Sequence, residues 1–259
     1  MRKALVISSA LLAFVACTRD PALTFTSPPK TPQSSVSSLS SQSFLSLISS
    51  SSFSSSASFG SFSSTHALPS SVRIAVPFSP QAPFGNWDVP YQEGCEEMAL
   101  IMVEKYWSEQ SLTREDADEA LLDLVAWETE HGYGEDVTIA ELKKIAEQYY
   151  GHSAKMEYDV TIDAIKEALA QGLPVIVPAA GRMLGNPYFS GEGPWYHMLV
   201  ITGYDHRGFI TNDPGTKRGE GYHYDEATLI NAIHDWTGVK ENIAQGGKSM
   251  LIITGKFSY

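Results

Sequence analysis

An α+β domain is predicted for residues 72–259, with a helical N-terminal half packed on an antiparallel β-sheet formed by the C-terminal half. Three observations predict it. Composition changes abruptly near residue 71, from serine-dominated sequence to a mixture of apolar and charged residues. Between residues 94 and 172, helix-start and helix-stop signals alternate. Beyond that point the apolar residues fall in short segments, rich in Val, Ile and aromatics and bounded by Gly or Pro. Helices first and strands later favour an α+β arrangement over alternating βαβ units.

The elements follow in chain order. SVRIAVPF starts the folded part with a short apolar strand signal. Residues 94–107 predict a helix, with Met98, Ile101, Met102 and Tyr106 at helical spacing. Thr113 with Asp116 opens a second helix running to about Trp127. Thr138 with Glu141 forms a capping box for a third that stops at Gly151, and a fourth runs from Thr161 to Gly172. PVIVPAA, WYHMLVITGY, GFITND and SMLIITG then predict strands, interrupted by one helix, DEATLINAIHDW, over about 225–236.

Ahead of the domain lie two other segments. Arg2 and Lys3 precede the apolar run ALVISSALLAFVA, too short to span a bilayer comfortably but suited to the hydrophobic region of a signal peptide. It ends in FVAC, which resembles the lipobox of bacterial lipoproteins, although Phe14 stands where Leu is usual. That resemblance implies export, lipidation at Cys17, and a domain tethered to the cell membrane and facing away from the cytoplasm. The alternative is an ordinary cleaved signal that happens to contain Cys17. Residues 18–71 are dominated by Ser and lack helical or strand periodicity, and read as a flexible spacer.

With 18 Lys and Arg against 30 Asp and Glu, the net charge of -12 offers no basic patch for nucleic acid. No His, Cys, Asp and Glu cluster has metal-ligand spacing and no glycine-rich phosphate loop follows a strand, so no metal and no cofactor are expected. A monomer is expected.

Cys95 is the single cysteine of the domain. A thiol in the first turn of a helix sits where unpaired N–H groups and the helix dipole favour the thiolate, whereas Glu93, Glu96 and Glu97 oppose it. Buried free cysteines are commonly inert packing residues. A nucleophile needs a base. Of the seven histidines, His197 lies inside an apolar strand segment, sharing a face with Trp195, Leu199 and Ile201; His223 is the reserve. A third group would orient the imidazole. The turn Asp205–Gly208 reads as a three-residue loop in which facing residue numbers sum to an even total, which puts Asp213 on the His197 face but a few residues from directly opposite it. Asn212 remains an alternative, and Asp213 before Pro214 and Gly215 also has a plain turn-forming role. Trp87, Asp88 and Tyr91 are candidates to line a cleft or to pack, and GRMLGNPYFSGEGPWY is either a substrate-side flap or an ordinary connection.

The segments VPFSPQAPFGNWDVPYQEGCEEMALIM, WYHMLVITGYD and FITNDPGT together resemble cysteine peptidase family thirty-nine, whose named members process bacteriocins after a double glycine. The resemblance spans roughly residues 73–255. It implies a papain-like fold, a peptide or protein substrate, Cys95 as nucleophile, His197 as base and then acid, and Asp213 as the orienting group. It also implies an upstream glutamine that helps bind the oxyanion, Gln81 by position or Gln92 by proximity, with the Cys95 backbone N–H as the second donor. The expected reaction is hydrolysis of a peptide bond through a thioester. Two other functions compete: an inactive peptide-binding module on the same fold, and a cell-wall amidase, disfavoured because such enzymes tend to orient the base with a second histidine where this chain has Asp213.

Overall fold

The computed structural model describes residues 67–256; the leader, Cys17 and nearly all of the serine-rich stretch lie outside the described residues. The folded part runs β1 (Val72–Arg73), α1 (Cys95–Trp107), α2 (Arg114–Glu130), α3 (Ile139–Gln148), β2 (His152–Glu157), α4 (Ile162–Ala170), β3 (Val175–Ala180), β4 (Tyr196–Asp205), β5 (Gly208–Asn212), β6 (Tyr222–Tyr224), α5 (Glu226–Ala232) and β7 (Met250–Lys256). The α+β class is as expected. A 7-stranded sheet in the order β2-β7-β3-β4-β5-β6, with β1 added against β4, is antiparallel throughout.

Local chemistry sets the helix starts. Thr113 and Thr138 both form complete capping boxes, with Asp116 and Glu141, satisfying N–H groups that have no partner inside the helix. Asp225 accepts from Ala227 N–H and Thr228 N–H to start α5. This helix ends earlier than the sequence predicts, because Ile233 bridges to Ala179 and His234 N–H donates to the Pro178 carbonyl. The chain beyond α5 thus supplies the donor for a buried β3 carbonyl.

Helix α1 is the centre of the molecule. Every residue from Cys95 to Glu104 is buried, enclosed by β4 and β7 on one side and α2 and α3 on the other. A helix covered all round fills a core rather than bordering one. Strand β2, between α3 and α4, was not anticipated; it pairs with β7 at the sheet edge. Its first residue, His152, is completely buried and bonded to Glu104 of α1.

The β4–β5 hairpin differs from its predicted register in an informative way. Asp205 pairs with Gly208, so the loop holds two residues and the partner numbers first sum to an odd total. A bulge between Ile201 and Gly203 inserts one extra residue in β4, and Ile201 then faces Thr211 and Val200 faces Asn212. The parity becomes even only beyond the bulge. Strand β1 lies close over this region: a side chain at Gly203 would collide with the Val72 carbonyl.

Candidate active site

A cleft of about 590 Å³ lies where the start of α1 meets β4, and both Cys95 and His197 line it. Cys95 is the first residue of α1 and Gly94 is its N-cap. The glycine serves packing more than access, since a Cβ there would sit 2.9 Å from Leu121 Cδ1 of α2. The Cys95 N–H occupies the helix start, where backbone donors lack intrahelical acceptors.

His197 is 1% exposed and tightly held. Its Nε2 bonds to Asp213 Oδ1 at 2.7 Å, which leaves Nδ1 as the ring nitrogen available for a proton from sulfur. The Phe189 ring meets the imidazole edge-on, with centroids 5.3 Å apart. Gly215 closes the other approach: a Cβ there would lie 2.8 Å from His197 Cε1.

Asp213 follows the last residue of β5 and is fully buried. Besides the imidazole, it accepts from Tyr224 Oη at 2.6 Å, Asn186 Nδ2 at 3.1 Å and the Gly215 N–H at 3.0 Å. Burial raises the pKa of this carboxyl, but His197, the tyrosine hydroxyl and the Gly215 N–H outweigh it and hold the group below the usual carboxylate value. Asn186, whose Nδ2 also donates to Tyr224 Oη at 2.8 Å, is a partner of this carboxylate that the sequence does not reveal. The alternatives separate cleanly. Asn212 points the other way, donating to the Val76 carbonyl and accepting from Gly221 N–H. His223 lies near the β4–β5 turn, beside Asp205 and Arg207.

The thiol departs from expectation. Burial, then the neighbouring Glu96 and Glu97, push the Cys95 pKa well above its ordinary value, against a smaller opposing effect of the Met198 backbone N–H. Among the described residues, the side chain hydrogen-bonded to Sγ is Glu96, whose Oε2 accepts at 2.9 Å. The dipole of α1 does not dominate because its first turn is enclosed, so the carboxylates that would have faced water are buried with the sulfur. Burial and the neighbouring Glu97 push Glu128 up to about 10, and burial raises Glu97 as well.

Both candidate oxyanion glutamines line the cleft; Gln81 has both amide N–H groups committed, whereas Gln92 has one of its two free among the described residues. Gln81 Nε2 donates to the carbonyls of Tyr91 and Gln92, each at 2.9 Å, while its buried Oε1 has no partner. Gln92 Nε2 donates to Glu93 Oε1 at 2.9 Å. An oxyanion role for Gln81 requires it to release one of its two carbonyls.

Of the aromatic candidates, Trp87 lines the cleft, whereas Tyr91 is bonded through its hydroxyl to Asp118. The 181–195 connection does form one wall, through Tyr188, Phe189, Ser190 and Pro194. It is pinned by Arg182, which stacks 3.4 Å from the Trp195 ring centroid and pairs with Glu192 at 3.0 Å. Among the described residues, no group of His, Cys, Asp and Glu is placed to hold a metal, and no helix is long and apolar enough to cross a membrane.

A C39-like peptidase from Bacillus anthracis is 16% identical, with 73% of this chain and 99% of that one covered at a TM-score of 0.48. Xylellain, a cysteine protease from Xylella fastidiosa, is also 16% identical, with 74% and 88% covered at a TM-score of 0.37. A comparison with curated proteins gives no match. The model of the Peptidase_C39 like family matches residues 73–242, well over half of the chain, and the chain therefore belongs to that family.

Proposed function

We propose that this chain is a cysteine peptidase that cleaves a peptide bond with Cys95, His197 and Asp213. The observation that carries the reading is the 2.7 Å bond from His197 Nε2 to a fully buried Asp213, in the wall of the cleft that also holds Cys95. That bond fixes the imidazole tautomer and ring direction, as an orienting carboxylate does in a triad. In the reaction, Cys95 gives its proton to His197 Nδ1 and the sulfur attacks the scissile carbonyl carbon. The oxyanion is met by the Cys95 N–H and, once one carbonyl is released, by Gln81 Nε2. Collapse expels the amine, protonated by the imidazolium, and leaves a thioester. Water, deprotonated by His197, then hydrolyses the thioester and restores the thiol.

The sequence features at the N-terminus support an exported form anchored through Cys17 to the cell membrane. Cys17→Ser should release the chain from membranes into the soluble fraction; an unchanged distribution rejects the anchor.

One observation favours a second reading. A protonated thiol bonded to Glu96 would suit an inactive peptide-binding module. The experiment that separates the two measures the rate at which a neutral electrophile labels Cys95 as pH is varied, in wild type and in His197→Ala. A triad gives labelling that slows by at least about tenfold without the imidazole. Equal, slow rates in the two proteins, rising only on the alkaline side, reject catalysis.

A further inference from the structure

We propose that the cleft selects peptides carrying an acidic side chain, which Lys217 and Arg218 bind; the inference rests on the peptidase reading and names its substrate class. Both side chains are exposed and line the cleft. Among the described residues, neither has a carboxylate within ion-pair distance, although this chain has 30 acidic residues to 18 basic ones. Elsewhere the cations are largely committed: Lys143, Lys166, Arg182, Arg207, Lys240 and Lys256 all sit against acidic groups. The one carboxylate in the cleft wall, Glu93, is already taken by Lys240 at 3.2 Å.

The two cations are also placed in advance. They sit on the short loop that follows Asp213, closed by Asp213 N–H to the Gly219 carbonyl at 3.0 Å and Gly219 N–H to the Thr216 carbonyl at 3.2 Å. Arg218 N–H donates to Thr216 Oγ1 at 3.3 Å. The Arg218 guanidinium lies 4.8 Å from the Tyr188 ring centroid, so its face is occupied by the aromatic ring while its N–H edge makes no side-chain bond among the described residues. A stacked guanidinium with a free edge is suited to a bidentate carboxylate. Lys217 reaches toward Gly85, with Nζ 2.6 Å from where a Cβ of that glycine would stand. Together they place two positive charges over a cleft in an otherwise acidic molecule, which draws anionic segments to it and repels cationic ones.

The test measures binding to the full-length chain carrying Cys95→Ala, so that it does not depend on cleavage. The probes are N-acetylated, C-amidated hexapeptide mixtures in which one position at a time is fixed as Glu or as Gln, read by fluorescence anisotropy. At one or two positions the Glu mixture should bind about three- to tenfold more tightly. That preference should vanish with Lys217→Gln and Arg218→Gln combined, and invert with Lys217→Glu and Arg218→Glu. Circular dichroism checks that the variants fold. Equal binding of Glu and Gln mixtures, or a preference that survives charge reversal, overturns the proposal. A preference that appears only when the C-terminus is left as a free carboxylate also overturns it, by assigning the cations to a chain end. Failure of the His197→Ala labelling test, with these binding results intact, would remove the peptidase and leave the acidic-peptide site standing.

Discussion

Glu96→Gln should make the Cys95 thiol more acidic, and the size of the change can be worked from one distance. A Glu96 oxygen lies 2.9 Å from Sγ, and although burial and Glu97 push this carboxyl's own pKa well up, it opposes the thiolate wherever it is ionised. With an effective dielectric constant of about 20, two unit charges at that separation repel by about 6 kcal/mol. Spreading the carboxylate charge over two oxygens and letting the pair move apart brings the expected shift to about 1 to 3 pKa units. Glutamine keeps the size and the ability to accept the Val137 N–H, which Glu96 Oε1 holds at 3.3 Å. The assay is the pH profile of Cys95 labelling by a neutral electrophile, with the labelled peptide identified by mass to separate it from Cys17. The midpoint should move down by at least one pH unit. The neutral-pH rate should rise less than the thiolate fraction does, because a more acidic thiol is a weaker nucleophile, with a Brønsted slope of about 0.4 to 0.5. An unmoved midpoint would mean that Glu96 is already uncharged when the thiol ionises, and the electrostatic argument would fail.

Gly215→Ala puts a methyl group 2.8 Å from His197 Cε1 and should slow Cys95 labelling by about ten- to a hundredfold. Gly247→Ala, which meets nothing within 4 Å, is the control and should leave the rate unchanged. Tyr224→Phe removes the 2.6 Å hydroxyl bond to Asp213, and Asn186→Ala the 3.1 Å amide bond. Each should cost about 1.5 to 3 kcal/mol of stability in denaturant melts, the range for hydrogen bonds to charged groups, and should shift the pH profile of labelling. Glu128, pushed up to about 10, binds a proton in the folded state that the unfolded chain gives up above the ordinary carboxylate range. Its stabilisation is therefore complete at acidic pH and is lost as pH rises, at about 1.4 kcal/mol per pH unit for one proton. Glu128→Gln should flatten the stability profile between pH 6 and 8; a slope equal to that of wild type refutes the buried proton.

What the sequence reveals of this fold is what short-range chemistry determines. The capping boxes at Thr113 and Thr138 lie within four residues of chain and can be read directly. Strands β3, β4, β5 and β7 announce themselves because buried strands need largely apolar residues, whereas the three-residue, half-buried β6 leaves no such run. Nor does strand β2, since HSAKME has a half-buried, mixed pattern and exists by pairing with β7, about a hundred residues later. The enclosure of Glu96 and Glu97 is equally illegible. Acidic residues in a first helical turn ordinarily face water, and only the packing of α1 against sheet and helices on both sides takes that option away.

The side on which His197 meets its partner depends on a feature no local pattern shows. With the two-residue turn at His206 and Arg207 alone, odd-sum pairing would carry through β5, and Asn212 rather than Asp213 would share a face with His197. The extra residue at the β4 bulge reverses that parity before the strands reach the cleft. Beyond it Asn212 turns to the Val76 carbonyl and Asp213 turns to the imidazole. Asp213 then sits one residue past the end of β5, where the chain is released from the ladder and can bend through Pro214 and Gly215 toward His197. The buried carboxylate needs more donors than the imidazole provides, and the loop between β3 and β4 supplies one through Asn186 while β6 supplies another through Tyr224. Three separate segments therefore converge on a single side chain, and that convergence fixes the imidazole more firmly than the strand bearing it could alone.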